Sequence, residues 1–270
     1  MTARAASPSP PPSPSPAPAL SLGALLACCH PGPTVAVTAV AAMLARAAGG
    51  SWGPVLLVTA AVLTGQLCIG WVNDWLDRDR DAHAGRRDKP LAAGRVRADT
   101  VWWAAVIAGA ACVVLSLATG LIPGVLHLFA VASGLAYDLG IKGTALSPVP
   151  FALSFGLLPA FVVAALPGSG SAPVWMVAAG ALLGTGAHFA NVLPDLEHDV
   201  ATGVRGLGHR IGRTVCVGSA AVLLLAAVAT LALGPAGPPT VAGWGAVALS
   251  VPVGTVGLVQ GRRPGSRAPF

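Results

Sequence analysis

Long apolar runs separated by short polar breaks dominate the chain, and their lengths predict eight helical spans: 34–47, 53–72, 101–120, 121–137, 146–166, 173–192, 214–233 and 241–260. The first is short for a membrane span. It could start near Leu20, with Pro31 and Pro33 kinking or breaking it, because proline removes a helical N–H and crowds the preceding turn. The expected class is therefore all-α, a polytopic transmembrane helical bundle of about eight helices, or nine if the first run splits. Residues 1–19 read differently. They are mostly Ser, Pro and Ala, as in Ser7-Pro8-Ser9-Pro10-Pro11-Pro12, which favours extended solvated chain and lacks the continuous apolar stretch of a cleavable signal peptide. The expected organisation is a tail over 1–19, one membrane domain over 20–260 and a basic tail over 261–270.

Composition supports this reading. Of 270 residues, 54% are hydrophobic and only 10% charged, with a mean hydropathy of +0.74, whereas a soluble domain carries about a quarter of its residues as charges. The five cysteines, Cys28, Cys29, Cys68, Cys112 and Cys216, never fall in C-x-x-C spacing, which argues against zinc and against a disulfide framework.

The net charge of +6 raises the question of nucleic acid, and position answers it. The basic residues sit in loops beside apolar runs, without the aromatic interleaving used to stack bases, so no nucleic-acid partner is expected. If the amino terminus is cytoplasmic, the loops after spans two, four and six and the carboxyl tail share its side. Every basic residue except Arg46 then lies on that side, as the positive-inside bias requires.

Two acidic clusters interrupt the apolar pattern. In Asn73-Asp74-Trp75-Leu76-Asp77-Arg78-Asp79-Arg80-Asp81, four of the ten acidic residues fall within eight positions. If the preceding helix continues through them, at about 100° per residue, Asp74, Asp77 and Asp81 share roughly a 60° arc and Asp79 points elsewhere. Three carboxylates on one face at a membrane boundary need compensation, and a hard divalent cation supplies it: Mg²⁺ takes one or two protein carboxylates and completes its shell with water and phosphate. A solvated helix end with Asp–Arg pairs is the plainer account of this run alone. Asp195-Leu196-Glu197-His198-Asp199 changes the balance. It too ends an apolar run, Asp195 and Asp199 are one helical turn apart, and His188 and Asn191 extend their face backwards. Two such clusters suggest paired metal sites holding one polyanion between them.

At these residues the chain resembles the UbiA superfamily of intramembrane prenyltransferases. Asn73, Asp74, Asp77 and Asp81 match the family's N-D-x-x-D-x-x-x-D signature, Asp195 and Asp199 its D-x-x-x-D signature, and Tyr137 to Lys142 its Tyr-x-x-x-x-Lys element. The similarity runs from about Leu25 to about Leu233. It implies a helical bundle around a central cavity open to the cytoplasm, in which Mg²⁺ held by Asn73, Asp74, Asp77, Asp81, Asp195 and Asp199 binds an isoprenyl diphosphate. The prenyl group would pass to an aromatic or quinone-precursor acceptor. A terpene cyclase of the same family would use the same ionisation site, while a cation transporter would place charges in mid-span.

Other residues are candidates beside these. Arg86, Arg87 and Lys89 resemble the basic element that follows the family's first motif and suit phosphate oxygens, although several must also serve as topology charges. Tyr137 and Lys142 could face the diphosphate, or act as interfacial anchor and headgroup contact. Arg205 lies in a Gly-rich loop that could flex as a lid. Gln66, two helical turns before Asn73, could meet the acceptor. His188 and His198 bracket the second cluster, where support of the ligands is their expected role because Mg²⁺ prefers oxygen.

Overall fold

The computed structural model describes residues 21–194, 196, 199 and 203–261. Asp195 and His198, the predicted amino-terminal tail and nearly all of the carboxyl tail lie outside the described residues. Among the described residues the regular elements are helices: α1 Leu22–Ala27, α2 Pro31–Ala47, α3 Trp52–His83, α4 Ala98–Ala118, α5 Leu121–Leu139, α6 Pro148–Ala164, α7 Val174–Val192, α8 Leu207–Leu233 and α9 Val241–Gly261. A 3-10 turn, Ile141–Gly143, joins α5 to α6.

Three boundaries carry physical information. The first run does split: the Ser21 side chain accepts the Ala24 N–H at 3.2 Å to open α1, and Pro31 begins α2, where its missing N–H needs no partner. The second span does not stop at residue 72; α3 continues through the acidic stretch to His83. The seventh starts early, at Leu207, but Gly212 adopts φ 79° and breaks the axis, so the straight part begins beside the expected residue 214.

Five helices, α3, α4, α5, α8 and α9 as far as Val259, are long and apolar enough to cross a membrane. The eight predicted spans exceed that number because α2 and α6 stop at 17 residues and because glycines and His188 dilute the hydropathy of α7. Helices adjacent in sequence pack together from α2 to α9, and α2 also packs on α6 and α3 on α5. The interior shared by α2, α3, α5 and α6 is closed at one end by a buried apolar cluster including Ala41, Val58, Val62, Phe161 and Val162. On the outer side of α4, Trp103, Ile107 and Val114 are exposed, an apolar face suited to lipid.

Close approach of α6 and α7 depends on two glycines one turn apart. A Cβ on Gly180 would overlap the Phe155 carbonyl, and one on Gly184 would overlap the Phe151 carbonyl. Gly184→Leu should therefore force these helices apart and destabilise the bundle by about 2 kcal/mol or more. Thermal unfolding in detergent checks this: Tm falls for Gly184→Leu and is unchanged for Ile107→Leu on the exposed face of α4.

Candidate active site

Continuation of α3 through the acidic stretch puts three carboxylates inside and one outside. Asp74, Asp77 and Asp81 are 3%, 8% and 3% exposed, while the Asp79 side chain is 75% exposed and pairs with Arg78. Burying three anions costs several kcal/mol per charge unless each is compensated, and each is. Lys89, from the loop after α3, places Nζ 3.1 Å from Asp74 Oδ1 and 2.8 Å from Asp81 Oδ2. Lys142, in the 3-10 turn, donates to both Asp77 oxygens at 2.8 Å. Arg80 donates to Asp77 Oδ2 at 2.8 Å, and His30 Nε2 lies 3.3 Å from Asp74 Oδ1. Burial pulls the Lys89 ammonium towards deprotonation, but Asp74 and Asp81 outweigh it and hold its pKa above the ordinary lysine value.

The loop that delivers Lys89 is tied to itself. Arg86 forks onto Asp88 at 2.9–3.3 Å, and Arg95 donates to the carbonyls of Arg87 and Asp88. This folds residues 86–90 back over the end of α3.

A second set of contacts crosses three elements. His30 Nε2 is 3.2 Å from Asn73 Oδ1, and Asn73 Nδ2 donates at 2.6 Å to Asp138 Oδ1 in the last turn of α5. Asp138 is 6% exposed, and among the described residues its Oδ2 has no hydrogen-bond partner.

These groups surround a cavity of about 520 Å³. One end holds Asp74, Asp77, Asp81, Asp138 and the cations; the other is walled by Val37, Ile69, Phe151 and Phe155. A recess of about 40 Å³ shares Val37, Gln66, Ile69, Ser154 and Phe155 with it and reaches His127 and Leu158 deeper in the bundle. There His127 stacks on Phe161 at 4.4 Å and its Nδ1 meets Ser116 Oγ at 2.7 Å.

The cavity collects most of the residues singled out from sequence. Gln66, Asn73, Asp74, Asp77, Asp81, Arg86, Lys89, Tyr137, Lys142, Asn191 and Asp199 line it, and His209 Nε2 lies 3.3 Å from Asp199 Oδ2. Arg87 and Arg205 are exposed and stand outside it. His188 is buried behind the wall: its Nε2 bonds Ser147 Oγ at 3.2 Å, and its ring meets Tyr137 and Phe151 edge-on. Ser147 Oγ also accepts the Leu207 N–H at 3.0 Å, so this buried contact anchors the start of α8 to the α5–α6 turn.

Three lining residues had no assigned role in the sequence reading: His30, Arg80 and Asp138. A signal existed for Asp138, the acidic residue directly at the end of the fourth apolar run, since an ionisable side chain at the edge of a span is costly and marks a site. Arg80 was read only as a topology charge. The reach of His30 depends on a backbone turn that no spacing rule gives.

The donor set fits a hard divalent cation. It is made of carboxylate oxygens, three of which, Asp74 Oδ1, Asp81 Oδ2 and Asp138 Oδ2, are buried without a hydrogen bond among the described residues; the first two face the Lys89 ammonium, and Asp138 Oδ2 has no such ion pair there. Among those residues no three His, Cys, Asp or Glu side chains already form a metal cage. That accords with Mg²⁺, which uses few protein carboxylates and borrows the rest of its shell from phosphate and water.

The chain has the fold of a UbiA homolog from Archaeoglobus fulgidus bound to GPP and Mg²⁺, with a TM-score of 0.71, 16% identity and coverage of 91% of this chain and 90% of that one. An apo UbiA homolog from Aeropyrum pernix K1 matches with a TM-score of 0.67 and 19% identity over 84% and 89% of the two chains. A digeranylgeranylglyceryl phosphate synthase matches with a TM-score of 0.59 and 18% identity over 77% and 75%. No curated protein matches the sequence. The model of the UbiA prenyltransferase family matches residues 34–268, beyond the expected limit near residue 233. With most of its length inside that match, and with five helices able to cross a membrane, the chain is an integral membrane protein that belongs to the UbiA prenyltransferase family.

Proposed function

We propose that the protein is an intramembrane, Mg²⁺-dependent prenyltransferase that ionises an isoprenyl diphosphate and passes the prenyl group to an aromatic or quinone-precursor acceptor. The observation that carries the reading is the division of one cavity into a carboxylate-and-cation end and an apolar end. A polyanion joined to a hydrocarbon chain matches both halves, and the solved relative bound to GPP and Mg²⁺ has the same fold.

In this reading Asp74, Asp77, Asp81 and Asp199, which line the same cavity, would hold Mg²⁺. Asp195, the other member of the second motif, is assigned to the same set by its spacing. Bound there, Mg²⁺ would supply positive charge to the diphosphate leaving group. Lys89, Lys142 and Arg80 are already within reach of the carboxylates, and Arg86 stands at the cavity wall beside them. Their N–H groups turn from carboxylate to phosphate oxygens as the substrate enters, and stabilise the charge that builds on it. The apolar wall keeps water from the cation left behind. The acceptor's nucleophilic ring carbon forms the new bond to the allylic carbon, and that ring carbon then releases its proton. Gln66, on the wall between the two halves, is placed to bond a polar group of the acceptor.

Orientation follows from charge. Among the described residues, the site end of the bundle carries every Lys and Arg except Arg46, which lies in the last turn of α2. The positive-inside bias supports a cytoplasmic site end, and the even number of spans read from the sequence supports the same side for the two tails. The concentration of charge at one end, above an apolar floor, favours an enzyme over a cation transporter.

Purified protein in nanodiscs should yield an acceptor-dependent adduct from geranyl, farnesyl or geranylgeranyl diphosphate and a panel of phenols, followed by mass spectrometry. A cyclised hydrocarbon formed without acceptor would instead assign the cyclase chemistry of the same family. Asp74→Asn or Asp77→Asn should lower turnover by about 100-fold or more in protein that still folds, far beyond any fall in Tm from the ion pair each loses, since each removes charge that the ionising transition state needs. Lys89→Met should raise KM for the diphosphate by about tenfold, the scale of one lost hydrogen bond to a charged group. Steady-state kinetics at saturating Mg²⁺ check both.

A further inference from the structure

We infer that Asp138 is a further ligand for the divalent cation, aimed by a hydrogen-bonded relay from His30 through Asn73; this rests on the diphosphate reading above. His30 Nε2 lies 3.2 Å from Asn73 Oδ1 and 3.3 Å from Asp74 Oδ1, and the Asn73 amide nitrogen donates to Asp138 Oδ1 at 2.6 Å. Both oxygens that face Nε2 are acceptors, so the tautomer with Nε2 protonated suits them, and in it the imidazole donates to Asn73 while Asn73 donates to Asp138. Asp138 thus keeps one oxygen occupied and one unpartnered among the described residues, in a side chain 6% exposed that lines the cavity.

A buried carboxylate with a vacant oxygen needs a cation, a proton or a water. Lys142 is the cation of the chain beside it, but its ammonium is held between both oxygens of Asp77 at 2.8 Å. A hard divalent cation held in part by Asp138 would supply the missing charge without another side chain, drawing the rest of its shell from phosphate and water. The position is open in the Tyr-x-x-x-x-Lys element, so the motif leaves Asp138 unspecified.

His30 adds an independent mark. It is the one non-glycine residue at positive φ among the described residues, at 54°, and its side chain makes no capping bond to the helix it precedes. Its ring instead reaches residues 43 and 44 positions further on. An unfavourable backbone state held in place beside a site is a signature of positioning. His30 precedes the segment matched by the family model, which begins at residue 34, so the relay is started by a part of the chain that the family match does not include.

The test is Mn²⁺ binding followed by electron paramagnetic resonance on the full chain in detergent, with inorganic pyrophosphate as the diphosphate probe. Wild type should bind Mn²⁺ more tightly when pyrophosphate is present. Asp138→Asn should weaken that binding about tenfold or more, the range for metal sites losing a supporting carboxylate. His30→Gly removes the ring and relieves the positive φ, which offsets part of the stability lost with the Asp74 contact, so it should weaken binding a few-fold in protein that remains folded. Mn²⁺ affinity unchanged in both variants overturns the inference and leaves the diphosphate reading standing. No pyrophosphate-enhanced binding in wild type overturns that reading and this inference with it.

Discussion

Compensation of buried negative charge at the inner end of α3 is the constraint on which the rest of the molecule depends. Three aspartates share one helical face inside an apolar bundle, and no arrangement of apolar residues could tolerate them alone. The loop after α3 therefore folds back to deliver Lys89, the turn after α5 delivers Lys142, and the break between α1 and α2 delivers His30. Each compensating group comes from a different element, so the charges draw those elements together at one end. In the proposed function the same charges also supply the chemistry, because the cations that would exchange a carboxylate for a phosphate are already in place.

The apolar half obeys a different rule. Its walls are held by close helix contacts, such as the α6–α7 approach at Gly180 and Gly184, and its far end is sealed by the Phe161 cluster and the Ser116–His127 pair. A polar pair in that position links α4 to α5 without exposing an unsatisfied group to lipid. The cavity is consequently closed at depth and charged at its mouth. That shape suits a substrate with an anionic head and a hydrocarbon tail better than an ion that must pass through.

Much of this was legible in the sequence, for identifiable reasons. Apolar run lengths locate the helices because a bilayer fixes how long such runs must be, and the 3.6-residue period sorts Asp74, Asp77 and Asp81 from Asp79. The split at Pro31 followed from the missing N–H of proline. What the sequence hid was contact between distant segments. Arg86, Arg87 and Lys89 look alike in a loop, yet Arg86 and Lys89 line the cavity and Arg87 is exposed. His188 is spaced as though it belonged to the acidic face, but the turn at Ser147 captures it behind the wall. His30 enters the site through a left-handed backbone turn, which no periodicity encodes.

The most direct test of the account is release of inorganic diphosphate from farnesyl diphosphate by the purified protein, with the panel of phenolic acceptors present, as Mg²⁺ is titrated. The account predicts release that requires Mg²⁺, saturates with it, and vanishes on chelation while the protein stays folded. Release that is indifferent to Mg²⁺, or folded protein that releases none from any isoprenyl diphosphate, would contradict it.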